Sequence, residues 1–324
     1  MSNGFPFSIA AVIKEIGRGK QGARSMSREV AQALYAAMLA GDIPDLELGA
    51  ILLSLRIKGE SVEEISGFLQ ACRAAMMPIP LPQKSRYAPV LIPSYNGARK
   101  RPNLTPLLAL LLAREGVPVL VHGVMQDASR ITSAQIFHEL GIVPASADIN
   151  FEAAWQQNLP VFLPIQVLAP ALHRLLQLRA RLGVRNSTHT LVKLLQPFTG
   201  PALRLSSYTH PEYLQMLTSL FQQALSEEDG AVLLMRGTEG ETVASTGRAR
   251  QIEVFHAGGS EVLIEKALNL EETELALPDG LDAQRTAMWI RQVLSAEIPV
   301  PANIAAQVRL CKEWSAKLAG ERRS

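Results

Sequence analysis

The sequence predicts an α/β protein with a small N-terminal helical domain and a larger, mainly parallel-sheet α/β domain. Three observations carry this expectation. Four helix-like segments with recognisable caps fill the first 75 residues, a proline-rich stretch follows at 78–82, and short β-prone apolar runs then alternate with helical ones. With 324 residues and 48% apolar content the chain can bury a sizeable core, and with only 5% aromatics that core is aliphatic.

The helical head is expected over residues 7–16, 27–39, 45–57 and 61–74. Ser27 stands where an N-cap is needed, and Ser61 with Glu64 has the spacing of a capping box. Apolar residues surround much of the circumference of segments 30–39 and 45–57, more than a four-helix head needs for its own core. Such surplus predicts a homodimer formed through the head.

Pro78, Pro80 and Pro82 stop helix formation and read as a linker. Beyond them come a strand at 90–92, a helix at 104–115 that Asn103 can cap, a strand at 117–121, a helix at 133–140 and a strand at 161–164. Helices at 168–182 and 190–195 are expected to return to the head. Strand 203–206, helix 212–224, strands 231–235, 251–255 and 261–264, and closing helices 284–294 and 304–318 complete the pattern. The expected domains are therefore 1–80 joined by 168–196, then 84–165 with 200–319, and a frayed tail at 320–324.

A net charge of +2 hides a segregated pattern. No Asp or Glu occurs from 153 to 211, a region that holds Arg174, Arg179, Arg181, Arg185, Lys193 and Arg204, while the last third is rich in acids that include Glu271, Glu272 and Glu274. A basic face is expected, with an acidic region elsewhere. The N-terminus lacks a charged leader and cleavage site, and no uncharged apolar run reaches about eighteen residues. A soluble, cytoplasmic protein without membrane contact is expected. Cys72 and Cys311 lie far apart in helix-like segments and read as buried free thiols. The six histidines show no metal-ligand spacing, and no nucleophile elbow or Walker loop is present.

The most informative stretch is the turn at 93–106, where a strand feeds a helix through Arg99, Lys100 and Arg101. Turns of this kind hold anions, because free backbone N–H groups and the helix dipole point into them. This one has a single glycine, Gly97, and no acid for Mg²⁺, so its standing-off cations suit a long phosphodiester better than a wrapped small phosphate. Lys84 and Arg86 lie just upstream. A second basic loop, with Arg18, Lys20 and Arg24 among three glycines, links the first two helices and reads as a mobile phosphate-binding connection. Arg179, Arg181 and Arg185 form a third group, open to two readings: nucleic-acid contacts or structural ion pairs. Tyr95 offers one ring for base stacking. Base-reading motifs are absent, which predicts DNA or RNA binding with little sequence preference. Glu239 and Glu241 are either a metal or acid–base pair or a structural turn.

Several motifs resemble the anthranilate phosphoribosyltransferase family over nearly the whole chain. Asn103 and Thr105 resemble the Asn and Ser/Thr after its diphosphate loop, Val119 to Gly123 resembles its strand ending in Lys-His-Gly-Asn, Thr132 to Gly141 its Gly-Ser-Ala-Asp helix, and Pro170 to Arg185 the segment with its anthranilate-holding arginine, here Arg179. The resemblance implies a phosphoribosyltransferase or nucleoside-phosphorylase-like fold, pairing through the helical domain. The chain departs from the family at substrate positions. Ser94 to Ala98 replace the glycine-rich loop, Val121, Val124 and Gln135 replace Lys, Asn and Asp, and Glu241-Thr242 replace the Mg²⁺-holding Asp-Glu. The pattern is most similar to a nucleic-acid-binding branch of the family, which implies no catalytic residue, cofactor or metal. The alternative is a Mg-dependent phosphoribosyl or pentosyl transferase using Asn103, Thr105, Arg179, Glu239 and Glu241.

Overall fold

A computed structural model describes residues 7–247, 249–265 and 277–321. The chain forms two compact units, residues 1–77 with 168–197, and residues 78–167 with 198–324. Glu271, Glu272 and Glu274 lie outside the described residues.

The first unit is helical. Its helices are Ile9–Ile16, Arg28–Ala40, Asp45–Lys58 and Val62–Ala75, followed after the excursion by Pro170–Gln177, Arg179–Leu182 and Thr188–Leu191. Ser27 accepts from Val30 N, and the Ser61–Glu64 capping box is present with both of its bonds. Each such cap stabilises its helix by about 1 kcal/mol. Leu34, Tyr35, Met38, Ile51, Leu52, Leu55, Ile65 and Phe68 are buried. The Tyr35 ring lies 4.8 Å from that of Phe68, and its hydroxyl pairs with Thr188 Oγ1 at 2.8 Å.

Two expectations for this unit are corrected. The predicted helix 168–182 begins only at Pro170, because Ala169 is in a non-helical conformation, and it ends where Gly183 turns left-handed. The final helix sits at Thr188–Leu191 rather than 190–195, since Asn186 Oδ1 takes the Thr188 N–H and starts it early.

The second unit is built on one seven-stranded sheet. Its strands are β1 (Val90–Ser94), β2 (Val119–Gly123), β3 (Val161–Pro164), β4 (Ala202–Tyr208), β5 (Gly230–Arg236), β6 (Ile252–His256) and β7 (Gly259–Ile264). Their order is β3-β2-β1-β4-β5-β6-β7, with β1 to β5 parallel and β6 and β7 antiparallel. Every residue of β1, β2 and β3 is buried, as parallel strands covered on both faces require. Val90, Ile92, Val119, Val121, Leu203 and Leu205 share one core with Leu107, Leu108 and Leu112 of helix Thr105–Arg114 and Leu310 and Trp314 of helix Ala302–Glu321. Burying each such side chain contributes about 1.5–3 kcal/mol.

Helix Phe151–Gln156, capped by Asn150, has no counterpart among the elements expected from sequence. The linker is packed: Ile79 is buried and bridges Phe198. The chain end is helical through Glu321, so the tail expected from 320 is ordered at its start, while 322–324 lie outside the described residues. Cys72 and Cys311 are free and buried. Among the described residues no helix is long and apolar enough to cross a membrane.

The strand order reverses direction between β1 and β4, because β2 and β3 follow β1 to one side while β5 lies on the other. Open α/β sheets bind ligands outside the carboxyl ends of strands at this point.

Candidate functional site

The turn after β1 occupies that switch point. Asn96, Gly97 and Ala98 are buried, while Arg99, Lys100 and Arg101 are exposed. Gly97 has φ +60°, and a Cβ there would come within 2.7 Å of Ile131 O, so only glycine fits. The bend aims successive backbone N–H groups to one side. Asn96 N and Gly97 N donate to Glu241 Oε1 at 2.8 and 2.7 Å, and Thr105 Oγ1 donates to Glu241 Oε2 at 3.3 Å. Arg99 N and Lys100 N donate to Glu239 Oε2 and Oε1 at 3.1 and 2.8 Å.

Both carboxylates arrive from the turn after β5, residues 237–241. Thr238 and Glu241 bridge each other, and Glu239 and Gly240 take φ of +53° and +91°. Asn96 Nδ2 and Ser207 Oγ both donate to Gly240 O. The anion seat expected of a strand–turn–helix junction is thus present, and the chain's own glutamates fill it. Glu241 is buried, and charge-assisted bonds offset the cost of placing a carboxylate there. All four carboxylate oxygens of the pair accept a bond, which favours the structural reading of Glu239 and Glu241 over the metal or acid–base one.

Deeper in the unit, a half-buried Tyr95 pairs with the buried His122. The Tyr95 hydroxyl lies 2.7 Å from His122 Nδ1, and the rings meet edge-on at 5.3 Å. The Tyr95 hydroxyl therefore points inward, while the residue stays half-buried. Burial pushes the Tyr95 hydroxyl up and the His122 imidazole down to about 3, so His122 is neutral. His122 Nε2 and Ser206 Oγ are buried without a hydrogen-bond partner among the described residues. Ser94 donates to Ser133 Oγ, to which Asn103 Nδ2 also donates, and Asn103 Oδ1 accepts the first helical N–H, from Thr105.

The candidate cations fall into both units. In the second unit, Arg99, Lys100 and Arg101 make no side-chain ion pair among the described residues, and Lys84 and Arg86 are exposed, with Arg86 4.9 Å over the Tyr87 ring. Arg130, which sequence reasoning left out of the site, reaches Gly97 O at 3.2 Å and Glu239 at 3.8 Å. In the first unit, the connection expected to be mobile contains a helical turn, Gly19–Gly22. Arg18 and Arg24 both pair with Glu15, at 2.5 and 3.8 Å. The Lys20 side chain lies outside the described residues. Arg181 pairs with Asp45 at 3.2 Å, and Arg179 and Arg185 help hold the nearby His189 down at about 4, where burial is the main cause. All three residues of the Arg179, Arg181 and Arg185 group are exposed, and Arg181 is ion-paired.

The helical bundle domain of a glycosyl transferase family matches residues 10–76. Over 301 residues, 93% of this chain and 92% of the relative, the sequence is 45% identical to the uncharacterized protein YbiB of Escherichia coli (strain K12). Anthranilate phosphoribosyltransferase of Persephonella marina is 31% identical over 60% of this chain and 55% of its own length. The chain belongs to the anthranilate phosphoribosyltransferase-like family. A crystal structure of anthranilate phosphoribosyltransferase from Thermus thermophilus shares the fold, with TM-score 0.70 at 24% identity over 98% of this chain and 90% of that one.

The family fold implies a Mg²⁺-bound diphosphate at the β1 turn, and the residues here do not fit one. The N–H groups that would meet phosphoryl oxygens already donate to Glu239 and Glu241. Among the described residues no group of three His, Cys, Asp or Glu is placed to hold a metal ion.

Proposed function

We propose that this family member is a cytoplasmic, homodimeric nucleic-acid-binding protein with little sequence preference. The observation that carries the reading is the β1 turn, where the inner anion seat is filled from within and three consecutive cations stand outside it. Phosphate recognition then passes from backbone to side chains, which suits a long polyanion at the surface. Titration of the protein with labelled DNA and RNA should give affinity that falls steeply with salt and varies little between sequences. Replacing Arg99, Lys100 and Arg101 together by Ala should weaken all nucleic acids alike and lower the salt slope by about one unit per lost phosphate contact. Wild-type binding by that variant would remove the interface from this turn.

The homodimer is supported by helix Asp45–Lys58. Its inward face buries Ile51, Leu52 and Leu55, while Leu46, Leu53 and Ile57 are 83%, 40% and 61% exposed along one stripe. In contrast, Leu34, Tyr35, Met38 and Leu39 of helix Arg28–Ala40 are buried, so the apolar surplus expected there is spent inside the protein. Light scattering should report twice the chain mass, and Leu46→Glu with Ile57→Glu should halve it. A monomeric wild type would overturn the assembly.

A second reading, phosphoribosyl transfer, is favoured by the orphaned His122 Nε2 and Ser206 Oγ near the carboxyl ends of β2 and β4, and by the likeness to the Persephonella marina transferase. Product formed from phosphoribosyl diphosphate and anthranilate with Mg²⁺ would establish it. The nucleic-acid reading expects none.

A further inference from the structure

We propose that Glu239 is a positioning residue for the cationic turn: its carboxylate holds the Arg99 and Lys100 backbone so that three adjacent cations project outward together. The role rests on the nucleic-acid reading above. Both of its oxygens accept backbone N–H groups, from Arg99 at 3.1 Å and Lys100 at 2.8 Å. These bonds fix the backbone of two of the three cationic residues while leaving all three side chains exposed. Arg130 braces the same carboxylate at 3.8 Å and also donates to Gly97 O.

The backbone at Glu239 is the second observation. Its φ of +53° is left-handed, a conformation that residues other than glycine rarely hold, and such strain persists where the surroundings over-determine it. Asn, Asp or Gly would take that angle more readily. A glutamate reaches farther, from the β5 turn to N–H groups 140 and 139 positions earlier in the chain.

The consequence runs against simple electrostatics. Glu239 is an acid beside a basic surface, so removing its charge raises the local positive potential and by itself tightens polyanion binding. If Glu239 positions the turn, removing it instead leaves a flexible backbone at Arg99 and Lys100 whose ordering must be supplied on binding. The two accounts predict opposite signs.

The test compares wild type, Glu239→Ala, Glu239→Gln and the Arg99/Lys100/Arg101 triple alanine variant on one long labelled DNA oligonucleotide over a range of salt. Thermal melts confirm folding. Glu239→Ala should bind roughly five-fold more weakly, with a shallower salt slope, as expected when the backbone ordering of about one residue must be supplied on binding. Glu239→Gln should fall between, because its Oε1 still accepts from Lys100 N. If Glu239→Ala does not fold, Glu239→Gln decides alone: weaker than wild type supports the role. Binding by both variants equal to or tighter than wild type overturns it, with the interface itself intact if the triple variant is weakened. A wild type that binds no better than the triple variant removes the interface and Glu239's role with it.

Discussion

Glu241→Ala is expected to destabilise the protein by about 3–5 kcal/mol, because three donors lose their acceptor at once and each buried unsatisfied donor costs about 1–3 kcal/mol. Asn96 N, Gly97 N and Thr105 Oγ1 all end on this one carboxylate, and Glu241 is 1% exposed. Glu241→Gln keeps one oxygen for the two N–H groups, and Thr105 can rotate its hydroxyl to accept from the new amide, so the loss should shrink to about 1 kcal/mol. Urea unfolding with unchanged m-value would measure both. A loss under about 1 kcal/mol for the alanine variant would mean that the β1 turn does not depend on Glu241.

Acid should unfold the protein earlier than its carboxylates alone require, and His122 is the main reason. Its folded value is depressed to about 3 from 6.5, so the unfolded chain binds a proton that the folded chain refuses. The stability this histidine contributes is fully present above pH 6.5 and is lost as pH falls toward 3, at about 1.4 kcal/mol per pH unit in mid-window. His189, held down at about 4, adds a smaller effect of the same sign. Denaturant midpoints between about pH 7 and pH 4 would show the slope. His122→Asn keeps a polar partner for Tyr95 and should flatten the slope by about one proton. An unchanged slope would show that His122 protonates without unfolding.

The fold was legible where the determinants are local. Ser61 and Glu64 are three residues apart and announce their helix, and the β-prone run before Arg99 announces β1. The filled anion seat was not legible, because its parts are 144 residues apart and only the sheet brings them together. The turn at 237–241 stood out in the sequence as charged and glycine-rich, yet nothing local says what its acids face. Arg18 and Arg24 read as free cations because Glu15, which pairs with both, precedes the glycine-rich connection and belongs to the helix before it. Helix Phe151–Gln156 was missed although Asn150 carries its cap, since six residues are too few for periodicity to register.

The helical unit is interrupted in sequence, and this bears on how it is made. Tyr35 meets Thr188 across 153 positions, Arg174 donates to Leu39 O across 135, and Met77 N bonds Leu168 O where the chain leaves and returns. A ribosome adding about 5–20 residues per second exposes the first four helices roughly 5–25 s before the segment that completes them. Through that interval Tyr35 lacks its partner hydroxyl and the head lacks its last helices. The intervening residues, including β1 to β3, emerge first, so the nascent chain must shelter a half-built bundle while the first strands of the sheet are being synthesised.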